Sequence, residues 1–373
     1  MSGFFENYKM KLKELTTYFD SLVPLAFQES YDNSGLQIGN PEDEINSALI
    51  TLDVTSSVLD EAITKKCNII ISHHPLIFSG IKKITEGNNT EKIISKAIKN
   101  NIAIYSAHTN LDNFQMGVSR KMAEKLNLHN VDVLLPLKNK LLKLVAFIPE
   151  GALDSVRNAV FEAGAGVIGA YDKCGFVGQG TGSFRGGETS NPYVGERGKV
   201  HFEEELRFET VLYSHLKSKV IKALLSSHPY EEVAYDIFPL ENENIPHGTG
   251  CIGELVEPMV ENDFLKIVSE IFDARCLRYS TLRGKKIKKV AVCGGAGGQF
   301  INSAIASGAD AYITGEIKYH TFLDANEAIL LIDAGHYETE KFSSEIISDL
   351  IIKKFPKFAL RFSKTNLNPI NYL

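Results

Sequence analysis

The chain has 373 residues, 44% of them hydrophobic, with 9% aromatics and no Trp, which is enough apolar material for large cores and two or three domains. Its 40 Lys and Arg against 46 Asp and Glu leave a net charge of −6, a field that repels polyanions and gives no support to nucleic-acid or anionic-membrane partners. The 5 cysteines form no Cys-x-x-Cys pair, the opening MSGFFENYKMKLKEL has no signal-peptide core, and no run approaches the ~18 apolar residues of a membrane span, so a reducing, cytoplasmic protein is expected.

Residues 11–22 have the spacing of a short amphipathic helix, and Tyr31-Asp32-Asn33-Ser34-Gly35 is dense in turn formers. Residues 48–54 (ALITLDV) read as a buried strand, 56–66 as the helix crossing back over the sheet, and 67–72 (CNIIIS) as the next strand. A helix over 91–100 leads to a strand over 102–107 (IAIYSA), so the series implies a parallel sheet. Around Pro136 the rhythm changes. Strands at 141–148, 204–213 and 232–238, an extended glycine-broken stretch at 171–184, and helices at 153–163 and 216–227 read as a ferredoxin-like split βαβ module. The fold expected is α/β: a metal-binding lobe in two pieces, 1–139 and 249–373, with an inserted α+β domain at 140–248. After the polar segment 241–250 the lobe resumes with helices at 262–272 and 300–307, strands at 289–293, 311–314 and 328–334, and a terminal helix at 338–353.

Three apolar strands end in metal-binding side chains. The strand at 67–72 runs into His73-His74-Pro75, the strand at 102–107 into His108 and then Asp112, and the strand at 328–334 into Gly335-His336 with Glu340 four residues on. Ligands collect at the carboxyl ends of parallel strands, so these groups are expected in one crevice. Adjacent residues such as His73 and His74 leave an extended chain on opposite sides, suited to giving one nitrogen to each of two ions. His336 and Glu340 share a face if the helix begins at or just before His336, and a carboxylate such as Glu340 can bridge. With Asp112 the set comprises three imidazoles and two carboxylates for two divalent ions, leaving open coordination positions of the kind a catalytic site keeps. Mixed nitrogen and oxygen donors suit Zn, Fe or Mn.

Other candidates stand beside this set. His108 is read as a ligand, as a residue orienting one, or as a turn residue; Glu316 and His320 as acid/base or substrate groups, or as a capped helix start. The run Gly294-Gly295-Ala296-Gly297-Gly298 offers backbone N–H groups to an anion, but it lacks both the G-x-G-x-x-G pattern and a P-loop Lys, which favours tight packing. His228-Pro229-Tyr230-Glu231 reads as a helix-to-strand turn.

Tyr31-Asp32-Asn33-Ser34-Gly35-Leu36-Gln37-Ile38-Gly39, Ser72-His73-His74-Pro75, His108-Thr109-Asn110-Leu111-Asp112, Thr314-Gly315-Glu316 and Gly335-His336 with Thr339-Glu340 together resemble the Nif-three-like family, whose members carry the label GTP cyclohydrolase I type 2 homologue. The resemblance implies a dinuclear site in which His74 and Asp112 bind one ion, His73 and His336 the other, and Glu340 bridges. It also implies a toroidal homohexamer and, in long bacterial members, an insert similar to the PII and CutA fold. A cyclohydrolase would open the guanine imidazole ring of GTP by attack of metal-activated water. The function expected is a dinuclear metal-dependent hydrolase with a nucleotide as substrate; the alternative is a metal carrier or regulator whose insert senses a small molecule. A ring threaded on DNA fits a hexamer but not the charge.

Overall fold

The computed structural model describes residues 8–242, 246–325, 327–365 and 368–373. The chain divides into two compact units, one formed by Met1–Pro136 with Pro246–Leu373 and the other by Leu137–Ile245.

The first unit is built on two sheets. In the five-stranded sheet the order is Ala359–Phe362, Ser47–Thr51, Ile69–Ser72, Ala103–Ser106 and Gly35–Ile38; the first four are parallel and the last is antiparallel. The three central strands, Ser47–Thr51, Ile69–Ser72 and Ala103–Ser106, are short, apolar in their middles and buried throughout, as strands covered on both faces must be. Alternate side chains go to opposite faces: Ile50, Ile69 and Ile71 to one core, Leu49, Ile70 and Ile104 to another, which the helices Ser56–Thr64 and Asn89–Lys99 close. Thr55 and Asn88 cap those two helices by accepting from the backbone N–H groups of Val58 and Glu91.

The six-stranded sheet runs Arg278–Tyr279, Leu330–Asp333, Ala311–Gly315, Lys286–Ala296, Gly248–Val260 and His129–Pro136. The strands starting at Lys286, Ala311 and Leu330 pair in parallel, and the other neighbours in this sheet pair antiparallel. Val290, Val292, Ile313 and Ile332 share a core with Ile50, Ile69 and Ile71 of the other sheet and with residues of the helices Leu12–Leu22, Val118–Lys125, Glu261–Phe272 and Ser343–Lys354. The lobe is therefore two sheets joined through a helical middle layer, where the spacing suggested a single resumed pattern. Register aligns the functional ends: Thr51, Ser72 and Ser106 are neighbours across one sheet, and Thr314 pairs with Asp333 in the other.

Several strands, Ala359–Phe362 and Arg278–Tyr279 among them, lie where none was expected. His129–Pro136 and Gly248–Val260 lie where a boundary and a polar connection were read, and Gly35–Ile38 occupies part of the turn-rich motif. The terminal helix is two helices, His336–Glu340 and Ser343–Lys354, and the first begins at His336 itself.

The second unit has one antiparallel sheet, in the order Tyr235–Leu240, Leu141–Pro149, Val200–Tyr213 and Gly175–Arg185. Helices Leu153–Glu162 and Lys217–Ser227 pack on it through Val156, Val160, Val220 and Leu224, against Leu144, Ala146, Ile148 and Phe208. Strand, helix, strand, strand, helix, strand with this order is the connectivity of a split βαβ module. His228 closes the second helix: its ring contacts the Phe147 carbonyl at 3.0 Å and accepts from the Tyr230 N–H at 3.1 Å, a structural turn.

Candidate metal centre

His73 and His74 follow the Ile69–Ser72 strand, and their backbone N–H groups continue the ladder to Thr51 and Leu52. His73 is fully buried, and its Nδ1 donates to the Ala107 carbonyl at 2.7 Å. A carbonyl can only accept, so the proton is fixed on Nδ1 and the Nε2 lone pair faces inward. His74 is held likewise by Asp53, whose carboxylate lies 2.8 Å from Nδ1. His336 opens its helix after Gly335, which takes a φ of 95° that a side chain would resist. Its Nδ1 stands 3.0 Å from a Glu316 carboxylate oxygen.

The three inward nitrogens meet at Glu340, which is buried one helical turn beyond His336. Glu340 Oε2 is 2.8 Å from both His74 Nε2 and His336 Nε2, and those two nitrogens are 3.3 Å apart. Glu340 Oε1 faces His73 Nε2 at 3.8 Å, and Asp112 Oδ1 faces the same nitrogen at 3.6 Å. His73, His74 and Glu340 offer donor atoms within 4.8 Å of one another, a candidate metal-binding cluster. These distances group His74 with His336 about one Glu340 oxygen and His73 with Asp112 about the other, a different partition from the one the family resemblance implies. His73 Nε2 and Asp112 Oδ1 are buried without a hydrogen-bond partner. Such orphaned donor atoms, facing one another, fit a divalent cation.

The glycine run serves packing. A Cβ on Gly295 would stand 1.9 Å from Glu340 Oε1, and the N–H groups of Gly295 and Gly297 are engaged by Thr339 and Thr314 hydroxyls at 3.0 and 2.9 Å. The loop thus closes directly over the Glu340 carboxylate, which only glycine permits.

The profile of the family described as Duf34/NIF3 (NGG1p interacting factor 3) matches residues 10–369. The chain belongs to the Duf34/NIF3 family. Among its relatives, the protein named GTP cyclohydrolase 1 type 2 homolog from Halalkalibacterium halodurans is 40% identical over 337 residues, covering 90% of each chain. Its namesake from Bacillus subtilis is 38% identical over 370 residues, covering 97% of this chain and 98% of that one. A crystal structure of a Bacillus cereus protein related to NIF3 superposes with a TM-score of 0.84 at 38% identity, covering 98% of this chain and 99% of that one. A Staphylococcus aureus protein follows with a TM-score of 0.78 at 29% identity, covering 98% and 99% respectively.

Charge in this Duf34/NIF3 crevice is tightly balanced. Burial acts to raise the Glu340 carboxyl, but the facing imidazoles of His336, His73 and His74 outweigh it and hold the group well below the usual range. Desolvation pushes Asp112 up to about 7, with His73 opposing and Glu340 reinforcing the shift. Burial opposes the His74 cation, yet Asp53 and Glu340 raise that imidazole to about 10.

His108 stands beside the cluster, its ring 5.4 Å from those of both His73 and His74, with Nδ1 on Asp32 at 2.7 Å. Burial would raise Asp32, but hydrogen bonds from His108 and Thr109 dominate and keep it ionised. Glu316 reaches the site through His336, from a left-handed residue with φ of 54°. His320 lies on the exposed Tyr319–Asp324 helix, its ring edge-on to Tyr319. Sequence reasoning missed Asp53 and gave Asp32 no role. Asp53 ends the Ser47–Thr51 strand as His73 ends its neighbour, so the same strand-end signal was present.

Proposed function

We propose that this chain is a dinuclear metal-dependent hydrolase acting on a nucleotide, with Glu340 bridging two divalent ions. The observation that carries it is the convergence of three imidazole Nε2 atoms on one buried carboxylate, with His73 and His74 tied outward through Nδ1. His74 and His336 would hold one ion, and His73 and Asp112 the other. Zn, Fe or Mn bound there would supply Lewis acidity and an activated water near neutral pH. His108, oriented by Asp32, is the side chain placed to pass a proton at the edge of the cluster. The relatives' printed name supplies GTP as the first nucleotide to try.

Elemental analysis per chain, followed by nucleotide turnover with and without chelator, tests this directly. Near two ions with chelator-sensitive turnover supports the hydrolase. Two ions without turnover favours the alternative, a metal carrier or regulator with a small-molecule-sensing insert. Retention of metal after reconstitution is essential, and its absence overturns the proposal. In His108→Gln, metal content should hold while turnover falls by roughly 10²–10⁴-fold; unchanged turnover would remove His108 from the proton path. Assembly as a homohexamer in the cytoplasm belongs to the same proposal, and light scattering on the purified chain measures the assembly. Among the described residues, no helix is long and apolar enough to cross a membrane.

A further inference from the structure

The Tyr31–Gly39 motif does more than orient His108. Asp32 takes the His108 ring and both the N–H and hydroxyl of Thr109. Asn33 donates its side-chain amide to the Ile77 carbonyl at 2.5 Å. Gln37 donates to the Asn33 carbonyl at 2.7 Å and accepts from the Ile77 N–H at 2.9 Å. The motif therefore clamps the segment after His73-His74-Pro75 to the turn that precedes the Gly35–Ile38 strand. Two rings project from the clamped pieces: Tyr31, 63% exposed, and Phe78, 49% exposed. Their centroids are 6.4 Å apart with planes inclined at 47°, and Phe78 is 6.3 Å from the His108 ring. His108 in turn is 5.4 Å from His73 and His74.

The two exposed aromatics thus stand on segments that hydrogen bonds hold together, at the edge of the His73, His74 and Glu340 cluster. Two stacking contacts of ~3.5 Å need about 7 Å between flanking rings, which a small rotation of either exposed side chain supplies. A heteroaromatic ring held there would be presented toward His108 and the cluster beyond it.

We propose that Tyr31 and Phe78 form an aromatic clamp that takes a planar heteroaromatic ring, such as a nucleobase, at the mouth of the metal centre. This inference deepens the hydrolase proposal and rests on it for the substrate's orientation. Base stacking on an aromatic side chain is sequence-tolerant, so the clamp selects ring planarity, and other parts of the site select the ring's edge.

The absence of Trp from this chain makes the test clean, because Phe78→Trp installs one indole fluorophore in the clamp. The metal-loaded full-length variant is titrated with GTP, other purine and pyrimidine nucleotides and a pterin, with ribose 5-phosphate as the ringless control. Saturable quenching by heteroaromatics but not by ribose 5-phosphate is expected. Adding Tyr31→Ala should weaken that binding roughly 5- to 100-fold with metal content unchanged. Absence of quenching by every heteroaromatic, or quenching that survives Tyr31→Ala unaltered, overturns the clamp. Quenching by a pterin but not by nucleotides keeps the clamp and sinks the nucleotide assignment. Quenching by GTP without turnover keeps the clamp and sinks the hydrolase.

Discussion

At the residue scale, Glu340 and Asp53 separate two kinds of contribution to one site. Glu340 meets all three inward imidazoles, so Glu340→Ala should empty both metal positions, and retention of two tightly bound ions would refute the bridging role. The Asp53 carboxylate meets the outward nitrogen of His74 at 2.8 Å. Asp53→Ala should keep the ligand set but free that ring, weakening metal affinity about 10- to 100-fold, as measured by competition with a chelator. Equal affinity would mean that the His74 rotamer is set by packing alone. The clustering of His73, His74, His336 and Glu340 was legible because they follow apolar strands at spacings tied to backbone geometry. Asp53 shares that placement, yet a single acidic residue after a strand is common, and only the 2.8 Å contact across the sheet distinguishes it. Gly295 was legible as a packing residue, but nothing in a glycine run discloses that the missing Cβ makes room for Glu340.

At the element scale, the Ala359–Phe362 strand is tied to the Ser56–Thr64 helix by one buried carboxylate. Glu61 accepts from the Ser363 and Thr365 hydroxyls at 2.7 and 2.8 Å and from the Lys364 N–H at 3.0 Å, and it pairs with Lys65. Burial alone would raise the Glu61 carboxyl, but these donors lower it from 4.5 to about 2. Its folded-state value lies below the unfolded one, so the stabilisation is fully present above pH ~4.5, fades as pH falls, and is gone below the folded value. The shift corresponds to roughly 3 kcal/mol. Glu61→Gln should therefore melt below the wild type at pH 7, with the gap narrowing below pH ~4.5 and closing as pH falls towards 2; a gap constant across that range would show that hydrogen-bond geometry, and not charge, is responsible. Crossover strands and their helices were legible because their apolar period is unmistakable. Gly248–Val260 was not, because glycines and Pro258 normally punctuate strands. Here Gly253 makes room for Val131 of the adjacent strand, and the register breaks between Glu254 and Met259, around Pro258.

At the scale of the whole molecule, the unit Leu137–Ile245 enters the lobe between two strands that are already partners. His129–Pro136 and Gly248–Val260 run antiparallel, and Pro136 faces Gly248 in their register. The two ends left by removing the unit are thus as close as the ends of a hairpin, which a few residues of turn can join. Gly248 is further anchored inside the lobe, its N–H donating to the Asn113 carbonyl at 2.8 Å, while Thr249 donates to the Asn113 side chain at 2.8 Å. Each unit also carries its own apolar core, one around Ile50, Ile71, Val292 and Ile313, the other around Leu144, Ile148, Val160 and Phe208. Replacing 137–245 with an Asn-Gly turn should therefore leave a soluble lobe that melts cooperatively and takes up metal in the same ratio as the full chain. Insoluble protein would show that the lobe needs the second unit to fold. A soluble lobe that no longer binds metal would show that the second unit holds the ligand strands in register, a role its separate core gives no reason to expect.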